Sequence, residues 1–230
     1  DLLHSTGLVG AAGEWFLWPE RARLWREWGV GSHDAYLERV LTEGTSANGV
    51  FAAKVMWGHM GEFLLYARRV AGDYECGDRT AIDAMLPSPR YVWLRRTDVV
   101  AQAVSWTKAA QTDEWRAGGE EKPLVYSFGQ IDWLAHQIRV WDGAWRRWFA
   151  AQRIEPLLLS YEELAADPTG TVDRVFALLG LERPAGGPAP VSGMRKQADE
   201  VSELWIARYR AETARPVSTT NASGSARKRR

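Results

Sequence analysis

Three short apolar runs stand out along the chain, at 50–56, 91–94 and 156–159, each bounded by polar or turn-forming residues. Their length and their content of Val, Phe, Tyr, Trp and Leu predict strands of a buried sheet. Between them the apolar spacing turns helical. Residues 98–112 follow the second run, with Thr97 or Asp98 placed to cap the free amides of a helix. From 127 to 152, Ile131, Leu134, Ile138, Trp141, Trp145, Trp148 and Phe149 fall on one face of a long scaffold helix. After the third run, Ser160 and Glu163 have capping-box spacing, and Asp167-Pro168 interrupts the chain before a further helix that ends near Gly180. A short opening helix closes at Gly7, a final one begins near Ala198, and 18–34 and 112–122 read as loops. Strands alternating with helices imply an α/β fold with a mostly parallel sheet flanked by helices, whose ligands bind at the carboxyl ends of the strands.

The Pro- and Gly-rich stretch at 182–192 reads as a surface connection, and the Ser/Thr-rich end with its basic terminus as a disordered tail. This gives one domain over 1–215 and a tail over 216–230. With 230 residues, 46% of them hydrophobic, one sizeable core is expected. Asn221-Ala222-Ser223 matches a glycosylation acceptor, but no secretory signal accompanies it. Formal net charge is +0, so any anion site has to be local and neither nucleic acid nor a membrane surface is an expected partner. The single cysteine, Cys76, leaves no internal disulfide, and no apolar stretch reaches membrane-span length, which fits a cytoplasmic setting. The chain opens at Asp1 inside a helical pattern without an initiator methionine, so residues upstream are expected.

Arg95 and Arg96 close the second strand where the next helix presents its positive end, and Ser105 lies two turns along. Guanidinium forks, helix amides and a hydroxyl together suit a phosphate or sulfate. The competing reading pairs both arginines with surface carboxylates and leaves Ser105 as an ordinary helix residue. Lys54, among apolar neighbours, either snorkels to solvent or faces an anion. Thirteen tryptophans serve cores and sugar-stacking surfaces equally well, so Trp57 and Trp106 are open to both readings.

Four ordered segments narrow the field: Gly7-Leu8-Val9-Gly10 with Glu14-Trp15-Phe16; Asn48-Gly49-Val50 with Lys54-Val55-Met56-Trp57; Asp98-Val99-Val100 through Ser105-Trp106; and Arg195-Lys196-Gln197-Ala198-Asp199 with Trp205 and Arg208-Tyr209-Arg210. With the block from Leu157 to Leu164 and Phe176 to Leu181, they resemble the trehalose-type bacterial carbohydrate sulfotransferases across nearly all of 1–210. That resemblance implies a P-loop-type sheet and transfer of a sulfuryl group from 3′-phosphoadenosine 5′-phosphosulfate to a hydroxyl of a carbohydrate or glycolipid acceptor, with no metal, in a homodimer. It implies Glu14 as the base and Arg96, with Arg95 as rival, and Ser105 on the nucleotide's 3′-phosphate. Arg195, Lys196 and Gln197 become a basic flap, Lys54 faces the sulfuryl group, and Trp15, Trp57 and Trp106 are candidates for the acceptor pocket. The family's first strand and phosphosulfate loop precede the position matched by Asp1, so both are expected to be missing here. A nucleotide kinase, with its similar strand-loop-helix phosphate site, and a non-catalytic binding homologue are the alternatives.

Overall fold

A computed structural model describes residues 2–112, 123–183 and 200–214. The predicted flap residues Arg195, Lys196 and Gln197 and the tail at 216–230 lie outside them. The chain opens with α1 (Leu2–Ser5) and continues through four helices: α2 (Trp18–Trp28), α3 (His33–Gly44), α4 (Met60–Ala71) and α5 (Asp78–Met85). Strand β1 (Val92–Arg95) leads into α6 (Val99–Thr112) and α7 (Phe128–Ala151). Strand β2 (Leu157–Ser160) is followed by α8 (Tyr161–Ala166) and α9 (Pro168–Leu179), and α10 (Glu200–Thr213) completes the described part.

β1 and β2 pair in parallel, with Val92 opposite Leu157 and Arg95 opposite Ser160. Helices α6 and α7 make the crossover that a parallel pair requires. The predicted burial of the strands is only partly realised. Leu159 is buried, but Val92, Leu94 and Leu158 are exposed, because a two-stranded sheet has no outer neighbours to cover such positions.

The predicted strand at 50–56 is a second correction. The segment is extended but makes only isolated bridges, Phe51 with Thr45 and Ala53 with Gly13. An apolar, β-branched run supplies the propensity for a strand, yet a ladder also needs a continuous partner, and 50–54 meets only the turn at 44–46 on one side and the irregular chain around Gly10 and Gly13 on the other. The 18–34 stretch, expected as loop, is mostly helical. Pro19 suits the first turn of α2, and the Ser32 side chain accepts from the Ala35 amide at 3.1 Å to cap α3.

Local signals place the remaining ends. The Asp98 carboxylate accepts from the Ala101 amide at 3.0 Å at the start of α6, and Ser127 does the same for α7 through Gln130. Ser160 and Glu163 form the reciprocal capping box. Asp167 caps α9, which ends at Gly180 in the left-handed region (φ 68°) that glycine adopts without steric cost.

The core has two main parts, and α7 supplies side chains to both. Ile131, Leu134 and Ile138 pack with Ala103 and Val104 of α6 and with Trp205 and Tyr209 of α10. One end of the same helix, through Trp148 and Phe149, packs into the aromatic cluster around Phe16, Tyr36, Phe63 and Tyr66.

Candidate active site

Glu14 and Lys54 are brought together by backbone pairing. The Gly10 amide donates to the Val50 carbonyl at 3.0 Å, and the Lys54 amide donates to the Gly13 carbonyl at 2.9 Å. The parallel bridge between Gly13 and Ala53 sets their successors, Glu14 and Lys54, side by side, and the two side chains form an ion pair. The Trp15 indole donates to the Ala52 carbonyl at 3.0 Å, and the Tyr36 hydroxyl donates to the Trp15 carbonyl at 2.7 Å, so the backbone on either side of Glu14 is fixed. Glu14 keeps 29% of its side chain exposed and Lys54 keeps 55%, which leaves both reachable from solvent. They line a small, partly open cleft with about 10 Å³ of space, room for one water or one hydroxyl group, whose remaining walls are apolar apart from His59.

The predicted anion pocket lies at the end of β1. Arg95 stands 3.7 Å from Asp142 of α7, and burial raises the Asp142 carboxyl above the usual range against the pull of Arg95 and Arg146. Arg96 has no carboxylate partner among the described residues. Its guanidinium lies 4.3 Å over the Tyr161 ring, and its Nε is buried without a hydrogen-bond acceptor. Arg95 also has a buried Nε without an acceptor and lies over the Trp93 ring, so what favours Arg96 over its neighbour as a ligand for an anion is that only Arg95 faces a carboxylate, that of Asp142. Ser105 is half-buried two turns into α6 and makes no hydrogen bond to Arg96.

The two amides that lead into α6 are already engaged. The Glu162 carboxylate accepts from the Thr97 amide at 3.0 Å and from the Asp98 amide at 3.3 Å, tying the corner after β1 to the corner after β2. Burial opposes ionisation of Glu162, but the Thr97 and Asp98 amides outweigh it and hold the carboxyl below its ordinary range. A carboxyl lowered on folding contributes stability that is full above its unfolded value and is lost as the pH falls through its folded value. The wild-type advantage in melting temperature over Glu162→Ala is therefore expected to hold at neutral pH and to fade in acid, below the normal carboxylate range. Melts that differ equally at every pH from 3 to 7 would show that the carboxylate charge is not what the amides hold.

The three tryptophans assigned to an acceptor pocket are all packed. Trp57 meets Trp145 edge-on at 5.1 Å, and Trp106 lies 5.5 Å from Trp141, so both rest on α7. Trp15 is held between its indole hydrogen bond and Trp28. Of the three, Trp15 and Trp57 belong to the same core cluster as the cleft residue Phe16, whereas Trp106 belongs to the α6–α7–α10 cluster. Reading the sequence missed two functional candidates. His59 sits two residues beyond Trp57 with no motif of its own, and Glu162 is hidden beside the capping-box residue Glu163. Among the described residues no group of His, Cys, Asp and Glu has an arrangement for holding a metal ion, and no helix is long and apolar enough to cross a membrane.

A carboxylate–ammonium pair beside a small cleft, and a half-buried arginine just past a parallel strand, are the candidate groups for an anionic ligand. Comparison with known proteins makes the class specific. Residues 1–212 match the Stf0 sulphotransferase family. The chain is 33% identical over 225 residues to a trehalose 2-sulfotransferase of Mycobacterium tuberculosis (strain ATCC 35801 / TMC 107 / Erdman), covering 93% of this chain and 83% of that protein. It is 29% identical over 245 residues to a trehalose 2-sulfotransferase of Mycolicibacterium smegmatis (strain ATCC 700084 / mc(2)155), covering 94% and 90%. The chain is thus an enzyme of the sulfotransferase class, and it belongs to the Stf0 sulphotransferase family. The kinase and non-catalytic alternatives give way to that membership.

Proposed function

We propose that this sulfotransferase moves a sulfuryl group from 3′-phosphoadenosine 5′-phosphosulfate to a hydroxyl of a carbohydrate, with trehalose or a trehalose-like glycolipid as the acceptor. The observation that carries the reading is the Glu14–Lys54 pair in a cleft with room for a single hydroxyl. Support for the acceptor class comes from two relatives named as trehalose 2-sulfotransferases that align over most of the chain. The donor supplies an activated sulfuryl group whose bond to the nucleotide phosphate breaks as the acceptor oxygen bonds to sulfur. Glu14 takes the proton that the acceptor hydroxyl loses, a task suited to a carboxylate within hydrogen-bond reach. Lys54 exchanges its bond to Glu14 for the oxygens of the transferring group and offsets the charge that gathers there.

Arg96 fits the nucleotide's 3′-phosphate, because its buried Nε lacks an acceptor and its plane is held by Tyr161. The Thr97 and Asp98 amides just before α6 do not fit that role, since Glu162 occupies them. A P-loop-type arrangement of the sheet, with the nucleotide at the carboxyl end of β1, is part of the same proposal. It is supported by the parallel β1–β2 pair and its helical crossover.

Transfer of labelled sulfate from the donor to trehalose, by the protein carrying the family's phosphosulfate loop, tests the reaction, and no transfer to trehalose or to any of a panel of sugars would overturn it. Calorimetric titration with 3′-phosphoadenosine 5′-phosphate tests the nucleotide site. Arg96→Ala is expected to weaken that binding by about 1.5–3 kcal/mol, the range for a charge-assisted hydrogen bond. An unchanged titration would remove Arg96 from the site.

A further inference from the structure

We infer that His59 is an acceptor-binding residue, which holds a hydroxyl of the sugar next to the one that Glu14 deprotonates. The inference deepens the reading of the Glu14–Lys54 cleft given above and rests on it.

His59 ends the 3-10 turn Trp57–His59, and its backbone amide is satisfied by the Met56 carbonyl at 2.9 Å. The residue lines the cleft, where it is the third residue with a polar side chain beside Glu14 and Lys54. Glu14 and Lys54 answer each other in their ion pair, while the half-buried His59 ring makes no hydrogen bond among the described residues. The other walls, including Phe16, Val55 and Phe63, have no side-chain polar atoms to offer it.

A neutral imidazole presents one donor and one acceptor, and neither is used within the protein. A ligand with adjacent hydroxyls is complementary to that pair. The cleft has room for one hydroxyl, so the attacked oxygen enters beside Glu14 and the rest of the sugar stays at the open rim, with a neighbouring hydroxyl near the cleft walls. Such a contact discriminates between acceptors, because a partner lacking that hydroxyl leaves the imidazole desolvated and unpaired. It is made equally with the bound acceptor and with the transition state, so its loss falls on KM more than on kcat.

The test is steady-state transfer of labelled sulfate at saturating donor by wild type, His59→Phe and His59→Asn, with trehalose as the acceptor. Phenylalanine keeps a planar ring without polar atoms, and asparagine restores a donor and an acceptor. His59→Phe is expected to raise the acceptor KM roughly five- to fiftyfold with kcat little changed, and His59→Asn to recover most of the loss. Affinity for 3′-phosphoadenosine 5′-phosphate should match wild type in both, which checks folding and the nucleotide site together. An acceptor KM unaltered by His59→Phe overturns the inference, as does a fall in kcat at constant KM or a parallel loss of nucleotide affinity. A wild-type enzyme with no transfer to any sugar would instead sink the proposed function, and the inference with it.

Discussion

Exchanging Glu14 for glutamine is expected to slow sulfate transfer roughly 10²- to 10⁴-fold, the usual contribution of a positioned general base. Glutamine preserves the shape of the side chain and its hydrogen bonding toward Lys54 but cannot take a proton. The ion pair it removes is solvent-accessible, so the cost in stability should be small. Binding of the desulfated nucleotide should also persist, because the proposed role of Glu14 is on the acceptor and Arg96, just past β1, lies on a different segment. Labelled-sulfate turnover at saturating donor and acceptor, beside a nucleotide titration, separates the two effects. Turnover equal to wild type would mean that another group in the cleft takes the proton, and a loss of both turnover and binding would point to a folding defect.

Gly10→Ala is the substitution expected to cost most in stability. An ideal Cβ at that position would stand 1.8 Å from the Gly44 carbonyl oxygen and 2.9 Å from that of Val50. These are backbone atoms in a hydrogen-bonded turn and cannot rotate aside. Relief requires the chain around Gly10 to lift away from 44–54, which gives up the Gly10–Val50 hydrogen bond and shifts the Gly13–Ala53 bridge that aligns Glu14 with Lys54. Overpacking of this kind costs about 3 kcal/mol, or a drop in Tm of roughly 6–12 °C for a chain of this size. Gly61→Ala in α4 is the control, since nothing lies within 4 Å of the added methyl. If Gly10→Ala melts within about 2 °C of wild type, the close approach is not structural. If it melts low but keeps full turnover, the strand pairing is not what positions the base.

What the sequence made legible divides along a physical line. α6, α7, α8 and α9 could be read because their signals are local: the caps at Asp98, Ser127, Ser160 and Asp167, and the apolar stripe from Ile131 to Phe149. β1 and β2 came within a residue of their observed ends, since short apolar runs flanked by turns are compact signals. The run at 50–56 failed because strand identity depends on a continuous partner, and here each neighbour, the turn at Thr45 and the irregular chain at Gly13, makes a single bridge. Helix α2 went unread because tryptophans and arginines mix along it and blur its apolar stripe, whereas α3, α4 and α5 carry amphipathic spacing of their own that the reading passed over. Within the site, Arg96 was visible as a strand-end arginine. Glu14 was assigned through the family resemblance, because a loop carboxylate beside two aromatics has no signature of its own. Its pairing with Lys54 is a long-range contact that no local pattern encodes.

The place of α7 in both halves of the core limits how this protein can change over evolutionary time. Ile131, Leu134 and Ile138 serve one cluster, and Trp148 and Phe149 serve the other, from a single uninterrupted helix. Each residue of an α-helix advances the face by about 100°. One residue gained or lost between Ile138 and Trp148 would turn one apolar stripe away from its cluster while the other stayed in place, even if every side chain were retained. Individual side chains along this stretch are free to drift among apolar types, and insertions or deletions are not. Length variation among descendants of this chain should therefore collect in the connections on either side of α7, leaving its 24 residues constant in number.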